Sequence, residues 1–198
     1  MSRAEETRER VLDAALTLFN QQGVDKTTTN HIAAAAGISP GNLYYHYKNK
    51  EEIIRALVTQ RLQPGIDAVW HFADEPTPKL SGLYQALSQH FELFWRFRFI
   101  RDNLALMRSD PLFAEGFCTI YQERMDQYEA MAKRMQQNGI LDAQLDSTTL
   151  RNLVEVCWVI VSSWLSHLEA TNTPATPASM QRGADLVLLT LKPYLREK

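Results

Sequence analysis

The sequence contains little cysteine, no long apolar run and no excess of either charge. Its two cysteines, Cys118 and Cys157, lie far apart in apolar stretches and form no CxxC pair. This spacing is typical of buried thiols in a reducing compartment and argues against a disulfide framework. The longest uninterrupted apolar run, Val156–Val161, is far too short to span a bilayer. We therefore expect no membrane partner.

The N-terminus and the net charge bear on which further classes of protein the chain can belong to. The N-terminus, MSRAEETRER, is charged and has no apolar core of a signal peptide, so the sequence predicts a cytoplasmic soluble protein. The net charge of −2 does not indicate a nucleic-acid partner. If the chain binds DNA, its positive charge must be local.

The residue patterns that support catalysis or metal binding do not occur in the sequence. There is no glycine-rich phosphate loop, no HExxH, no GxSxG and no His/Cys cluster with metal-ligand spacing, and the five histidines are scattered. Asp142 and Asp146 are more simply part of a polar loop than of a metal site. We expect no catalytic residue, no metal and no cofactor.

What is present is helical periodicity along most of the chain, with no convincing strand and no repeat. The pattern predicts an all-α fold. A fourth helix opens at Asn49 or Lys50, and Pro64-Gly65 is expected to kink or break it. A loop is predicted at Asp74–Pro78. The other predicted helices are Thr7–Gln22, Asn30–Ala36, Pro40–Tyr47, Ile66–Phe72, Leu80–Phe97, Ile100–Met107, Pro111–Gln137, Ser147–Ala170 and Pro177–Leu195.

Two short helices joined by the turn GISP, with a supporting helix before them, form a helix-turn-helix unit. The second helix of such a unit enters the major groove of DNA. It carries the run Leu-Tyr-Tyr-His-Tyr. On a 3.6-residue period Leu43 and Tyr47 share one face and are expected to be buried, whereas Tyr44 and Tyr45 point elsewhere.

The segment TTTNHIAAAAGISPGNLYYHYKNKEEII, residues 27–54, resembles the helix-turn-helix of the TetR (tetracycline-repressor-like) family of bacterial transcriptional regulators. The spacing holds over more than twenty positions. The rest of the chain is similar to the family only in its long helices. The resemblance implies an N-terminal three-helix DNA-binding domain over residues 1–50, with the motif at about 28–47. A helical ligand-binding and dimerisation domain would follow over residues 51–198.

By resemblance, the DNA contacts lie at the start of the second helix, along the recognition helix and at the start of the fourth. Residues 1–50 hold six basic and five acidic side chains, 6 − 5 = +1, so the positive charge is weak. Specificity is therefore expected to rest on Asn42, Tyr44 and Asn30. The implied contact residues are Thr29, Asn30, Ser39, Pro40, Gly41, Asn42, Tyr44, Tyr45, His46 and Lys50.

Residues 90–121 are rich in aromatic side chains. A stripe of this kind is more often core than ligand site, but so many rings on neighbouring helices can also line a cavity. TetR-like regulators generally carry an inducer pocket in this part of the chain. An apolar or aromatic ligand is therefore expected there. The candidate lining residues are His90, Phe94, Leu104, Met107, Phe113, Phe117, Tyr121, Trp158 and Ser162.

The last two predicted helices are apolar on much of their circumference, which indicates burial on two sides. A four-helix bundle formed by two chains would bury both faces, and the family's dimer has this form. The alternative is a monomer in which these helices are simply core. The candidate interface residues are Leu153, Cys157, Val161, Trp164, Ala184, Leu188 and Leu191.

The leading hypothesis is a homodimer that binds a near-palindromic operator on double-stranded DNA and is released by a small apolar ligand. A second hypothesis is a regulator of the same fold with a protein or nucleoid-associated partner and no inducer. A filled core in the C-terminal domain would favour it. A third is a helical carrier or enzyme.

Overall fold

A computed structural model describes the backbone of residues 2–103 and 111–196, and the side chains of residues 2–100 and 121–196. The described backbone is helical apart from loops and a single antiparallel bridge between Leu141 and Leu195, so the all-α prediction is confirmed. The helices are α1 Arg3–Gln22, α2 Thr29–Ala35, α3 Pro40–His46, α4 Lys50–Leu57, α5 Gln63–Trp70, α6 Leu80–Arg96, α7 Pro111–Gln137, α8 Ser147–Ala170 and α9 Pro177–Leu191.

Capping residues explain where the helices begin. α1 starts at Arg3 rather than at the predicted Thr7, because Ser2 and Glu5 form a capping box ahead of the apolar pattern. The predicted bounds of α7 and α8 are confirmed. α9 ends at Leu191 instead of Leu195, and a 3₁₀ turn over Lys192–Tyr194 follows. Pro193 has no N–H to donate, so it cannot continue the α-helical ladder.

The helical backbone between Lys50 and Trp70 does not break at Pro64-Gly65. The irregularity lies just before, as a π-helical turn at Val58–Leu62 in which the Gln63 N–H bonds to the Val58 carbonyl. A π-helical turn contains one residue more than an α-helical turn. This change in the hydrogen-bond pattern lets the helix continue past Pro64, which has no N–H to donate. A break at Pro64-Gly65 is therefore wrong, and the alternative of a kink there stays a prediction.

Packing divides the chain into two compact units, Met1–Gly65 with Phe97–Phe113, and Ile66–Arg96 with Ala114–Lys198. The predicted boundary after residue 50 separates a DNA-binding domain from a ligand-binding domain. It is a functional division and stays a prediction. The core of the first unit is formed by buried side chains of α1 to α4 and the π-turn. These include Val11, Leu12, Phe19, Ile32, Leu43, Ile53 and Leu57.

A 3₁₀ segment, Arg98–Asn103, packs on α1 within the first unit. The Phe99 N–H donates to Asn20 Oδ1 at 3.1 Å, and the rings of Phe99 and Phe19 lie 5.3 Å apart between centroids. The sequence predicted a helix over Ile100–Met107. Residues 104–107 of that prediction lie outside the described residues.

The second unit is built around close packing of α9 against α6 and α8. A Cβ added at Gly183 would lie 2.6 Å from Phe91 Cε1 and 2.8 Å from Trp164 Cδ1, so glycine permits this approach. Trp164 Nε1 donates to the Ser179 carbonyl at 2.9 Å, which satisfies its buried N–H.

Candidate functional site

Backbone hydrogen bonds and one arginine fix the turn between α2 and α3. Gly37 has a φ of 66°, and the Ile38 N–H bonds to the Ala33 carbonyl at 3.0 Å. The Arg10 guanidinium of α1 donates to the carbonyls of Ala36 and Gly37. These carbonyls end α2 and have no intrahelical donor, so a cation here stabilises the helix end. The turn thus holds α3 in a defined position relative to α2.

The first turn of α3 is capped and exposed. Ser39 Oγ accepts from the Asn42 N–H at 3.2 Å, and Pro40 occupies the first helical position. These two features let so short a helix begin here. Ser39, Pro40, Gly41 and Asn42 are all exposed, as a leading end that meets a partner requires.

The aromatic side chains of α3 divide between core and surface as the periodicity predicts. Leu43 and Tyr47 are buried, and burial raises the pKa of the Tyr47 hydroxyl. Tyr44 is 50% exposed and Tyr45 83% exposed. The Tyr45 ring lies edge-on to His46, with centroids 5.2 Å apart. The exposed rings are the part of α3 that is free to contact a partner.

One hydrogen bond connects α2 and α3 at the surface. Thr29 Oγ1 lies 3.0 Å from the Tyr44 hydroxyl. Thr29 is half-buried in the first turn of α2, and Asn30 beside it is exposed. Thr28 caps this helix by accepting from the His31 N–H at 3.2 Å. The structure therefore brings Thr29 and Tyr44, two of the predicted contact residues, together.

Lys50 lies at the start of α4 against the loop between α1 and α2. Its Nζ donates to the Val24 carbonyl at 2.6 Å and to the Thr27 carbonyl at 3.1 Å. An ammonium carries three N–H donors, and these two contacts use two of them. The side chain thus ties two segments together, which its sequence position did not indicate. The phosphate contact predicted for it stays a prediction.

The second unit contains a cavity of about 70 Å³. Its lining side chains come mainly from α5 to α9 and are nearly all apolar. None of the described side chains that line the cavity carries a charge. The polar exceptions are His90, Tyr128 and the thiol of Cys157, whose pKa burial raises to about 12.

Aromatic rings support one wall of the cavity. Trp70 Nε1 donates to His90 Nδ1 at 2.7 Å, and the Trp70 ring lies 4.6 Å from that of Tyr128 between centroids. The Phe94 ring stacks on that of His90, with centroids 4.6 Å apart. Burial lowers the pKa of His90 to about 3 and raises that of Tyr128, so both groups are uncharged at neutral pH.

The predicted pocket residues occupy different places. His90 and Trp158 line the cavity. The Phe94 ring stacks on His90, and the Tyr121 ring lies edge-on to that of Trp158, with centroids 5.3 Å apart. Ser162 is exposed, and its hydroxyl bonds within α8 to the Val159 carbonyl. The remaining predictions, Leu104, Met107, Phe113 and Phe117, fall on residues or side chains outside the described part of the chain.

Sequence reasoning missed Trp70 and Tyr128. Trp70 ends α5, and its sequence neighbourhood indicates only an amphipathic helix. Tyr128 follows Tyr121 by seven residues, or about two helical turns, so it shares that residue's face. This spacing is the one signal that could have identified it.

The predicted interface residues are mostly packed inside their own unit. Leu153, Val161, Trp164 and Ala184 are buried, and Cys157, Leu188 and Leu191 are half-buried. Cys157, Leu153, Val161 and Leu191 also line the cavity. The same two helices expose other apolar side chains, Val156, Val159 and Leu189. An interface on α8 and α9 would therefore use these exposed positions more than the predicted ones.

Two family models match consecutive parts of the chain. A family model described as bacterial transcriptional repressor matches residues 61–198, and one described as bacterial regulatory proteins, tetR family, matches residues 11–57. The regulator SrpR of Pseudomonas putida is 44% identical over 61 residues, which are 31% of this chain and 29% of SrpR. The chain thus spans less than a third of that relative's length.

Two solved structures share the fold over nearly the whole chain. A TetR-family transcriptional regulator from Marinobacter aquaeolei VT8 superposes with a TM-score of 0.84 at 27% identity, covering 99% of this chain and 92% of its own. SmeT, the repressor of a Stenotrophomonas maltophilia multidrug efflux pump, was solved as a complex with triclosan. That complex superposes with a TM-score of 0.69 at 23% identity, covering 96% of this chain and 92% of SmeT.

Proposed function

This chain belongs to the TetR family of bacterial transcriptional regulators, and we propose that it acts as a homodimeric repressor released from its operator by a small, mainly apolar ligand. The observation that carries the proposal is the exposed leading end of α3, with Tyr44 held by Thr29 at 3.0 Å. A regulator of this kind works in the cytoplasm on double-stranded DNA. It needs no cofactor.

In the proposed complex α3 enters the major groove. The exposed Asn42 and Tyr44 read base edges, because amide and hydroxyl groups can donate or accept there. Tyr45, His46 and the remaining N–H of Lys50 donate to phosphates, as does the backbone at the capped start of α3. Thr29 and Asn30 contact the strand that passes the start of α2.

The dimer interface is proposed on the exposed apolar face of α8 and α9. Val156, Val159 and Leu189 are 46%, 54% and 61% exposed, and a large aliphatic side chain gains free energy when a partner covers it. The most apolar stretch of α8 has a mean hydropathy of 1.3, but only 22% of this stretch is buried within its own chain. Much of an apolar helix is therefore left for a partner to cover. A second copy covers this face symmetrically and brings two recognition helices to one operator.

The ligand is proposed to occupy the cavity of the second unit. Its lining is apolar with few polar groups, the usual composition of a small-molecule site. A structural neighbour, SmeT, was solved with triclosan, a small aromatic molecule. The chain runs from α6, which contributes Leu83, Leu87 and His90 to the cavity, into Arg98–Asn103, which packs on α1. A ligand that shifts α6 would act on the first unit through this segment, and so shift the equilibrium between two states.

The test is a gel-shift titration of the purified protein on the DNA upstream of its own gene, with unrelated DNA as competitor and with salt varied. A sharp shift that survives the competitor is expected. Weak binding that disappears with salt, there and on DNA chosen by genome-wide selection, would contradict the proposal. A filled core in the second unit would favour the alternative of a protein or nucleoid-associated partner without an inducer, and the cavity counts against it.

A further inference from the structure

Two buried polar atoms in the cavity region have no hydrogen-bond partner among the described residues. They are His90 Nε2 and the Tyr128 hydroxyl. Both residues line the cavity, where the other described side chains are apolar except for Trp70, whose N–H is already bonded, and the weakly polar thiol of Cys157. A buried polar group without a partner costs about 1–3 kcal/mol of stability. Phenylalanine in place of Tyr128 would avoid that cost, whereas at position 90 it would leave the buried Trp70 N–H without its acceptor. The Tyr128 hydroxyl and the free nitrogen of His90 therefore have to be explained.

The hydrogen bond from Trp70 fixes which atom of His90 carries the proton. An indole N–H can only donate, so His90 Nδ1 accepts and has no proton of its own. The neutral ring must then carry its proton on Nε2. Burial keeps the ring neutral by lowering its pKa to about 3. His90 therefore carries one unpartnered N–H donor and no charge, buried just beside the cavity.

The Tyr128 hydroxyl is a second donor. Burial raises its pKa, so it keeps its proton and can donate or accept. The Trp70 ring packs against both residues, with centroids 5.7 Å from His90 and 4.6 Å from Tyr128. The two donors therefore belong to one aromatic cluster on the wall of the cavity.

The electrostatics of the cavity select against ions. None of the described side chains that line it is charged, so an anion or cation would be desolvated there without a counter-charge. The cavity of about 70 Å³ is roughly half the size of one that holds benzene, about 150 Å³, so a ring must enlarge it, and the flexible Met131 and Met135 in the lining can adapt.

We propose that His90 and Tyr128 are the polar anchors of the effector site and that they select an uncharged, mainly apolar ligand bearing an oxygen acceptor, such as a ketone or an ester. The rings and aliphatic side chains hold the hydrocarbon part. The donors on His90 and Tyr128 bind the oxygen. This inference rests on the proposed function, because it specifies the ligand class of the same site.

Three single-ring probes test the proposal by calorimetric titration at neutral pH. Acetophenone carries a neutral carbonyl oxygen, isopropylbenzene has nearly the same shape without it, and benzoate is an anion. Acetophenone is expected to bind about twofold to tenfold more tightly than isopropylbenzene for each hydrogen bond formed. Benzoate is expected to give no measurable binding.

Variants identify the anchors. Tyr128→Phe is expected to fold with equal or greater stability, since it removes an unpartnered hydroxyl, and to reduce the preference for acetophenone. Adding His90→Phe together with Trp70→Phe, so that no indole N–H is left without an acceptor, is expected to abolish it. His90→Gln keeps an acceptor for Trp70 and a donor for the ligand, so it is expected to retain the preference. Tyr121→Phe is the matched control, because that ring contacts Trp158 but does not line the cavity.

Equal binding of acetophenone and isopropylbenzene, binding of no probe, or a preference that survives in the combined variant at positions 70, 90 and 128 would overturn the proposal. So would a large loss of stability in Tyr128→Phe, which would mean that a buried water satisfies the hydroxyl as part of the fold. Operator binding without probe is measured in parallel. If operator binding is intact but acetophenone is not preferred, only the ligand assignment fails. If acetophenone is preferred but operator binding is absent, the proposed repressor function fails.

Discussion

The hydroxyl of Tyr44 and Oγ1 of Thr29 lie 3.0 Å apart and join the second half of α3 to the start of α2 in the helix-turn-helix unit. The contact lies at the surface, where Tyr44 keeps half of its side chain exposed. A hydrogen bond of this kind restricts the rotation of the tyrosine and so orders the group before any partner arrives. Tyr44 is therefore pre-positioned on α3 and free on its outer face.

Replacing Tyr44 by phenylalanine is expected to lower operator affinity by about twofold to tenfold, the effect of losing one hydrogen bond to a neutral base edge. The unfolding transition should change little, because the hydroxyl is at the surface. Fluorescence anisotropy of labelled operator measures the affinity. Tyr84→Phe, at an exposed tyrosine of α6, is the control and should leave affinity unchanged. Equal affinities for the two variants would remove Tyr44 from the DNA contact.

Gly183→Ala is expected to destabilise the protein by about 1–3 kcal/mol, since the added methyl group would overlap with the buried rings of Phe91 and Trp164. Thermal unfolding measures the loss. Gly41→Ala is the matched control, because a Cβ there meets no atom within 4 Å, and it should be neutral or stabilising. A Gly183→Ala protein as stable as the wild type would show that α9 and α6 are not in close contact.

Stability is expected to fall as the pH is lowered from about 6.5 towards 5. The pKa of His90 is about 3 in the folded state and near 6.5 when unfolded, so the unfolded chain binds more protons in this range. The loss is at most about 1.4 kcal/mol per pH unit. Urea unfolding at several pH values measures it. The His90→Gln protein, whose side chain does not titrate, should show a flatter dependence, and an identical slope would contradict the burial of His90.

Val159→Glu is expected to convert the dimer into folded monomers of 22.7 kDa, because it places a charge on the apolar face proposed to meet the second copy. Sedimentation velocity measures the mass, and circular dichroism checks the fold. Tyr84→Glu provides a surface control that should stay dimeric. An intact Val159→Glu dimer would place the interface elsewhere.

Local patterns were sufficient to predict most of the fold. The caps and apolar periods give the bounds of α7 and α8, and the same periodicity separates buried Leu43 and Tyr47 from exposed Tyr44 and Tyr45. These features depend on residues within a few turns of one another, which is the range over which sequence patterns act.

The features that the sequence could not predict depend on residues distant in the chain. The Lys50 ammonium binds carbonyls more than twenty positions away, and the donor on His90 is defined by Trp70, on another helix. Periodicity identified the apolar faces of α8, but it could not show which of these faces packs against other helices of the same chain. That is why Val161 was assigned to an interface although it is buried.

The most direct test of the central claim is hydroxyl-radical footprinting of the protein on its selected DNA, with the number of bound chains determined by sedimentation. We expect two protected half-sites related by a dyad, with centres about 34–36 Å or a multiple of it apart, and two chains on each DNA. Protection of a single half-site by one chain, or uniform protection that salt removes, would contradict a dimeric operator-binding repressor.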